Sequence, residues 1–278
     1  MPGDAPRSGR CDNARLARTL QIADVRICLE DAGQGFALLL LHGFPATRYL
    51  WSRVIPRLVE TGYRVVAPDL VGYGESEGPA AARIDMSSQA DWMLQLVDQL
   101  GLRQFALIAH DVGTAAAQLM AIAAPRRVRG LALLDGVYAD NWAIEAVASI
   151  QVWNPAEAQK LFPVLRRRLG RTEALREMLS AYQGERGGLR LIRAARDLDP
   201  RQTAAIGERL REAGLPAAVL WGEHDDFLPI DTVGQRLAES LGTTLTRLPG
   251  GHFTPLDCPA EVADALGAFL RSLPTDSA

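Results

Sequence analysis

Apolar residues in this chain come in short unbroken runs separated by stretches with helical spacing, and that alternation predicts a largely parallel sheet wrapped by helices. Leu20 to Glu30 alternates as two edge strands around Ala23-Asp24. Phe36 to Leu41 is unbroken between Gly35 and His42-Gly43, as suits a strand buried on both faces. Helical spacing at Leu50 to Val59 precedes a strand at Arg64 to Ala67, and a helix at Ser87 to Leu100, closed by Gly101, precedes a strand at Phe105 to Ala109. A helix of small residues, Thr114 to Ala124, leads to a strand at Leu131 to Leu134. The pattern resumes at Ala217 to Trp221 and Thr243 to Leu248 and ends with a helix at Ala260 to Leu273.

Between the strands at Leu134 and Ala217, roughly 80 residues show no strand pattern, and so long a structureless loop is rare inside a compact domain. The segment 137–214 is rich in helix formers and holds Arg166-Arg167-Arg168 and Gly187-Gly188, so it is read as a helical cap inserted over the carboxyl edge of the sheet. The domain reading is a flexible leader at 1–18, a core made of 19–136 and 215–273, and the cap. Pro274 to Ala278 is expected to fray. The basic run Arg166 to Arg168 is read as a solvated helix face.

A length of 278 residues supports a large core, and 48% hydrophobic and 23% charged residues with a net charge of -3 describe an ordinary globular protein without the basic surface that nucleic acid or anionic membrane would need. Cys11, Cys28 and Cys258 stand far apart with no disulfide or metal-ligand spacing, which points to a reduced cytoplasmic setting. No signal peptide or membrane-spanning run is read from the first residues. No cofactor and no metal is expected. The partners are a small-molecule substrate and water, and the sequence carries no signal for an oligomeric state.

The chemistry concentrates at predicted strand ends. Ala109-His110-Asp111-Val112-Gly113 puts an aspartate at the tip of a sharp strand-to-helix turn, where an ionised carboxylate can attack a saturated carbon without a base to deprotonate it. Such an aspartate is also an ordinary helix cap. His42-Gly43-Phe44-Pro45 follows the third strand, so the amides of Phe44 and Val112 can form an oxyanion hole. His252, in Pro249-Gly250-Gly251-His252-Phe253, is the natural general base. Trp221-Gly222-Glu223-His224-Asp225-Asp226 supplies a carboxylate to orient it, Asp225 being the first choice and Asp135, at the end of the preceding strand, the second. His42 and His110 are read as structural and His224 as a turn residue.

From about Leu20 to Leu273 the chain resembles the α/β-hydrolases, in the chain order nucleophile, acid, histidine and in the turn Asp69-Leu70-Val71-Gly72-Tyr73-Gly74-Glu75-Ser76. Within that fold, His110-Asp111-x-Gly113 resembles epoxide hydrolases, haloalkane dehalogenases and haloacetate dehalogenases. The resemblance implies an alkyl ester on Asp111, later hydrolysed by water that His252 activates. This chain departs from each family at the residues that assist the leaving group. It has Val112 where haloalkane dehalogenases carry a tryptophan, and Phe44 where they carry an asparagine. Val112 and Thr114 stand where haloacetate dehalogenases carry arginines, and Ile192 lies near an epoxide hydrolase cap tyrosine. Trp142 and Trp153, as indole donors, and Tyr138 and Tyr182, as phenol donors, are the substrate-binding candidates. A dehalogenase is the leading expectation. An epoxide hydrolase, an esterase or lactonase, and a ligand-binding protein without catalysis are the alternatives.

Overall fold

The computed structural model describes residues 17–142, 144–168 and 173–274. Eight strands form one sheet in the order β1-β2-β4-β3-β5-β6-β7-β8. They are β1 (Ala17–Ile22), β2 (Val25–Ala32), β3 (Ala37–Leu41), β4 (Arg64–Pro68), β5 (Phe105–His110), β6 (Val128–Leu134), β7 (Ala217–Gly222) and β8 (Leu245–Leu248). Strands β1 and β2 form an antiparallel hairpin and β2 meets β4 antiparallel, whereas every pairing from β4 onward is parallel. Every residue of β3 and of β5 is buried, as unbroken apolar runs in the middle of a covered parallel sheet must be.

Most boundaries lie within two residues of the sequence expectation, and three elements differ more. Strand β1 begins at Ala17, two residues inside the stretch read as a leader; the rest of that leader, 1–16, and the tail 275–278 lie outside the described residues. The helix expected at Leu50 to Val59 is instead a 3-10 turn, Arg48–Trp51, followed by α1 (Ile55–Glu60). Pro56 explains the break, since it has no N–H and its ring excludes the carbonyl of Ser52 from a continuous helix. Strand β6 starts at Val128, earlier than expected, because Arg129 and Gly130 interrupt its apolar run. Cys258 is a buried free thiol, and Cys11 lies outside the described residues.

Helices α2 (Met86–Gln99) and α3 (Gly113–Ala123) pack together beside the central strands. Between β6 and β7 the described residues form α4 (Ile144–Gln151), α5 (Pro155–Ala158), α6 (Leu161–Arg168), α7 (Glu173–Ser180), α8 (Gly184–Arg196) and α9 (Gly207–Glu212), with no strand. Beyond β7 come α10 (Gln235–Ser240), α11 (Thr254–Asp257) and α12 (Pro259–Ser272). The side chains of Arg166 to Arg168 lie outside the described set. Helix α8 is tied to the core by Arg193, which donates to the carbonyls of Pro79 (3.1 Å) and Ala82 (2.6 Å), and by Asp197, which accepts from the Ile84 amide at 2.7 Å. Among the described residues, no helix is long and apolar enough to cross a membrane.

The sheet order decides where a site can form. Chain direction through the sheet reverses at β3, which lies between β4 and β5, and a crevice opens outside the carboxyl ends of strands at such a switch point. His42-Gly43-Phe44 leaves β3 there, Asp111 leaves β5, Asp135 leaves β6, and Asp225 and His252 follow β7 and β8.

Candidate active site

Asp111 occupies the first residue after β5 in the left-handed region (φ 52°), which costs an L residue about 1–2 kcal/mol and persists only where neighbours enforce it. They do so here. The Asp111 amide donates to the Leu134 carbonyl at 3.1 Å, and its carbonyl accepts from the Thr114 amide at 3.0 Å and the Thr114 hydroxyl at 2.6 Å. Two glycines make room for the turn. A Cβ on Gly43 would lie 2.3 Å from Asp111 Oδ1, and one on Gly113 would lie 2.3 Å from the carbonyl oxygen of His42.

The turn aims a nearly buried carboxylate at the crevice. Oδ1 accepts the Phe44 amide at 2.6 Å, and the Val112 amide helps to favour the charged carboxylate. Oδ2 lies 3.5 Å from His252 Nε2. The other ring nitrogen, Nδ1, meets Asp225 Oδ2 at 2.9 Å, and Asp225 Oδ1 accepts the amides of Phe227 (2.8 Å) and Leu228 (2.9 Å). Of the two acids the sequence offered, Asp225 is therefore the one on the ring. Burial disfavours charge on both partners, yet their mutual attraction outweighs it: Asp111 titrates below the usual carboxylate range, and His252, with Asp225 also helping, is pushed up to about 10.

Asp135 sits one layer deeper, fully buried, and burial raises its pKa well above the usual value. It accepts the Gly222 amide and the Thr254 hydroxyl instead of holding the ring. His110 is buried and its pKa is lowered to about 4, by burial first and then by the His252 charge; its Nε2–H donates to the His252 carbonyl at 2.6 Å. His42 donates from Nδ1 to the Gly43 carbonyl at 2.9 Å and accepts the Leu70 amide at Nε2 (3.0 Å). His224 is an exposed turn residue.

A cavity of about 540 Å³ opens above Asp111 and His252. Its floor includes Phe44, Val112 and Phe253; Trp142, Ile150, Leu165 and Leu198 face it from the β6–β7 segment, and Asp140, Asn141 and Asp226 add polar atoms. The four substrate-binding candidates fare unequally. Trp142 lines the cavity, but its indole N–H is already given to Thr203 Oγ1 (2.8 Å) and the Ala139 carbonyl (3.2 Å), so it is not a free donor for a leaving group. Tyr138, Trp153 and Tyr182 do not line the cavity; Tyr182 is buried with its hydroxyl on the Ala46 carbonyl at 3.2 Å, and Tyr138 and Trp153 pack partly buried against the core. Sequence reasoning missed Phe227 and Leu228, although both directly follow the Asp225-Asp226 pair that it singled out.

Residues 37–177 match the model of the alpha/beta hydrolase fold family. The chain belongs to that family. This hydrolase is 30% identical, across 274 residues covering 93% of it and 95% of the relative, to 2-hydroxymuconate semialdehyde hydrolase of Pseudomonas sp. (strain CF600). Fluoroacetate dehalogenase of Burkholderia sp. is 39% identical over 122 residues, which cover 42% of this chain and 40% of that one. Among solved structures, an alpha/beta hydrolase fold protein from Burkholderia ambifaria superposes with a TM-score of 0.77 at 22% identity, covering 94% of this chain and 99% of the other. The eight-stranded sheet of this hydrolase, with its single hairpin edge, is the architecture the sequence led one to expect.

Proposed function

We propose that the protein hydrolyses small, largely apolar alkyl halides through an alkyl ester on Asp111. The observation that carries this reading is the Asp111 carboxylate itself, kept ionised at the elbow, with Oδ1 on the Phe44 amide and Oδ2 turned to the cavity and His252. In the first step Oδ2 bonds to the substrate carbon as the carbon–halogen bond breaks and halide departs with the bonding pair. Asp111 thereby becomes a neutral ester. His252 then keeps only Asp225 as a counter-charge, so its pKa falls and its proton leaves alongside the halide.

Neutral His252, with Asp225 on its Nδ1–H, takes a proton from water as that water adds to the Asp111 carboxyl carbon. The resulting oxyanion at Oδ1 is stabilised by the Phe44 amide, with the Val112 amide as the second donor of this reading, at about 3 kcal/mol per donor. Collapse expels the alcohol, protonated by His252, and the new carboxylic proton returns to the ring, restoring the ion pair. The β6–β7 helices serve as the cap in this reading, excluding water from the first step with Trp142, Ile150, Leu165 and Leu198. One turnover in oxygen-18 water will place label in Asp111 and none in the first alcohol released, as read by peptide mass spectrometry; label confined to the alcohol would remove the ester.

Halide is favoured over epoxide by what the cavity lacks. An opening epoxide leaves as an alkoxide and needs a proton donor, but no tyrosine lines this cavity among the described residues, whereas halide leaves as a stable anion. With the Trp142 N–H already bonded, chloride and bromide suit the site better than fluoride, the halide most dependent on hydrogen bonds.

The cavity also favours uncharged substrates. Asp140 and Asp226 line it, no lysine or arginine does among the described residues, and the one cation, His252, lies between two carboxylates. A substrate carboxylate would therefore meet like charge without a partner, which costs several kcal/mol in a desolvated site. Chloroacetamide is expected to be hydrolysed with a kcat/KM about 100-fold or more above that of chloroacetate, corresponding to about 2.8 kcal/mol. Equal values, or a preference for the acid, would sink this assignment of substrate charge.

A further inference from the structure

Asp135 is the buried carboxylate that this mechanism leaves unused. It follows β6 in the left-handed region (φ 43°), its amide donates to the Leu220 carbonyl at 3.1 Å, and its Oδ1 accepts the Gly222 amide at 2.7 Å, tying the ends of β6 and β7 together. Its Oδ2 accepts the hydroxyl of Thr254, which is fully buried and starts α11, two residues beyond His252. The His252 loop lies directly on the end of β7, where a Cβ on Gly222 would meet the Gly251 carbonyl oxygen at 2.1 Å. His110 holds the His252 carbonyl from the β5 side, with His110 Nε2 4.0 Å from Asp135 Oδ2. On the other side of His252, the Gly251 amide donates to Asp257 Oδ2 at 3.0 Å.

We propose that Asp135 and Thr254 are positioning residues for the second half-reaction: their bond fixes the backbone on which His252 rides, and so sets where the imidazole stands relative to the water that attacks the ester. The pair makes no bond to the Asp111 carboxylate, whose Oδ1 is oriented independently by the Phe44 amide. Loss of the Thr254 hydroxyl should therefore leave attack on the substrate intact and slow hydrolysis of the ester, since displacements of about 1 Å in a catalytic group cost rates as much as 100-fold. The inference rests on the alkyl-ester reading above.

Thr254→Val keeps the side-chain shape and removes only the hydroxyl. In rapid-quench experiments with 1-bromobutane, its bromide burst should match the unaltered enzyme within about twofold in rate and amplitude, while ester hydrolysis slows about tenfold or more. The alkylated protein should then accumulate in intact-mass spectra during steady turnover. Thr254→Ser, which restores the hydroxyl, should restore hydrolysis, and Asp135→Ala should behave like Thr254→Val wherever it folds. A smaller burst amplitude with both rate constants unchanged would mean that Thr254 serves folding alone and would overturn the proposal, as would equal slowing of both steps. An ester trapped by His252→Ala but never by Thr254→Val overturns this inference by itself. Absence of ester in both variants overturns the mechanism with it.

Discussion

His252→Ala will stop the enzyme after a single event: one equivalent of halide released, no alcohol formed, and a mass gain on Asp111 equal to the alkyl group. Without His252 the ester loses its general base, and the nearby imidazole of His110 does not replace it, since its Nε2–H is on the His252 carbonyl and its pKa is lowered to about 4. Removing a base from an esterase-type step commonly costs three to six orders of magnitude, so turnover should fall by a factor of about 10⁴ or more while the first step persists. Incubation with a mixture of alkyl halides and epoxides, followed by peptide mass spectrometry, would identify the preferred electrophile from the mass of the trapped group. An unmodified Asp111 after such incubation would rule out the covalent route.

Asp111→Asn should abolish both halide release and turnover, by a factor of about 10⁴ or more, because a neutral amide is a poor nucleophile at saturated carbon. The folded structure should survive, since the carboxamide oxygen can still accept the Phe44 amide and asparagine tolerates a positive φ as well as aspartate does. The substitution also removes one of the two carboxylates that raise the His252 pKa to about 10, so the imidazole should titrate lower, as followed by NMR of the ring protons. The effect on stability has a definite sign. In the unaltered protein the raised pKa of His252 gives stabilisation that is fully present below pH 6.5 and is lost as pH rises through about 10. The lowered pKa of Asp111 gives stabilisation present above the ordinary carboxylate value of 3.8 and lost as pH falls through its folded value. Urea midpoints of Asp111→Asn should therefore vary less with pH at the alkaline end than those of the unaltered protein. An unchanged His252 titration would show that the two residues do not interact.

Much of this architecture was legible because the fold writes it locally. The runs at β3 and β5 identify themselves, and the glycines flanking Asp111 mark the turn, because a buried parallel strand and a close backbone approach each demand particular residue types. The choice between Asp225 and Asp135 was open in the sequence, where both follow strands of the same sheet. Three dimensions separate them by depth: Asp135 comes directly off β6 and is absorbed beneath the loop, whereas Asp225 stands three residues beyond β7, far enough out to reach the ring. The aromatic candidates were the least legible. Trp142 does face the cavity, but its N–H answers to Thr203, 61 residues later in the chain, and no local pattern announces such a contact. Tyr182 was a reasonable donor on paper, and its hydroxyl went to the main chain at Ala46.

The order of strands gives this enzyme a division of labour. Under the proposed mechanism, the atoms that make the first bond belong to the loops after β3 and β5, and those that prepare water belong to the loops after β6, β7 and β8, all lying to one side of β5 in the sheet. Side-chain changes at Phe44 and Val112 can thus retune which electrophile is accepted while their main-chain amides go on serving the oxyanion and the loops after β6, β7 and β8 stay unaltered. The same partition would let a laboratory library diversify one half of the sheet edge and still screen for turnover with the other.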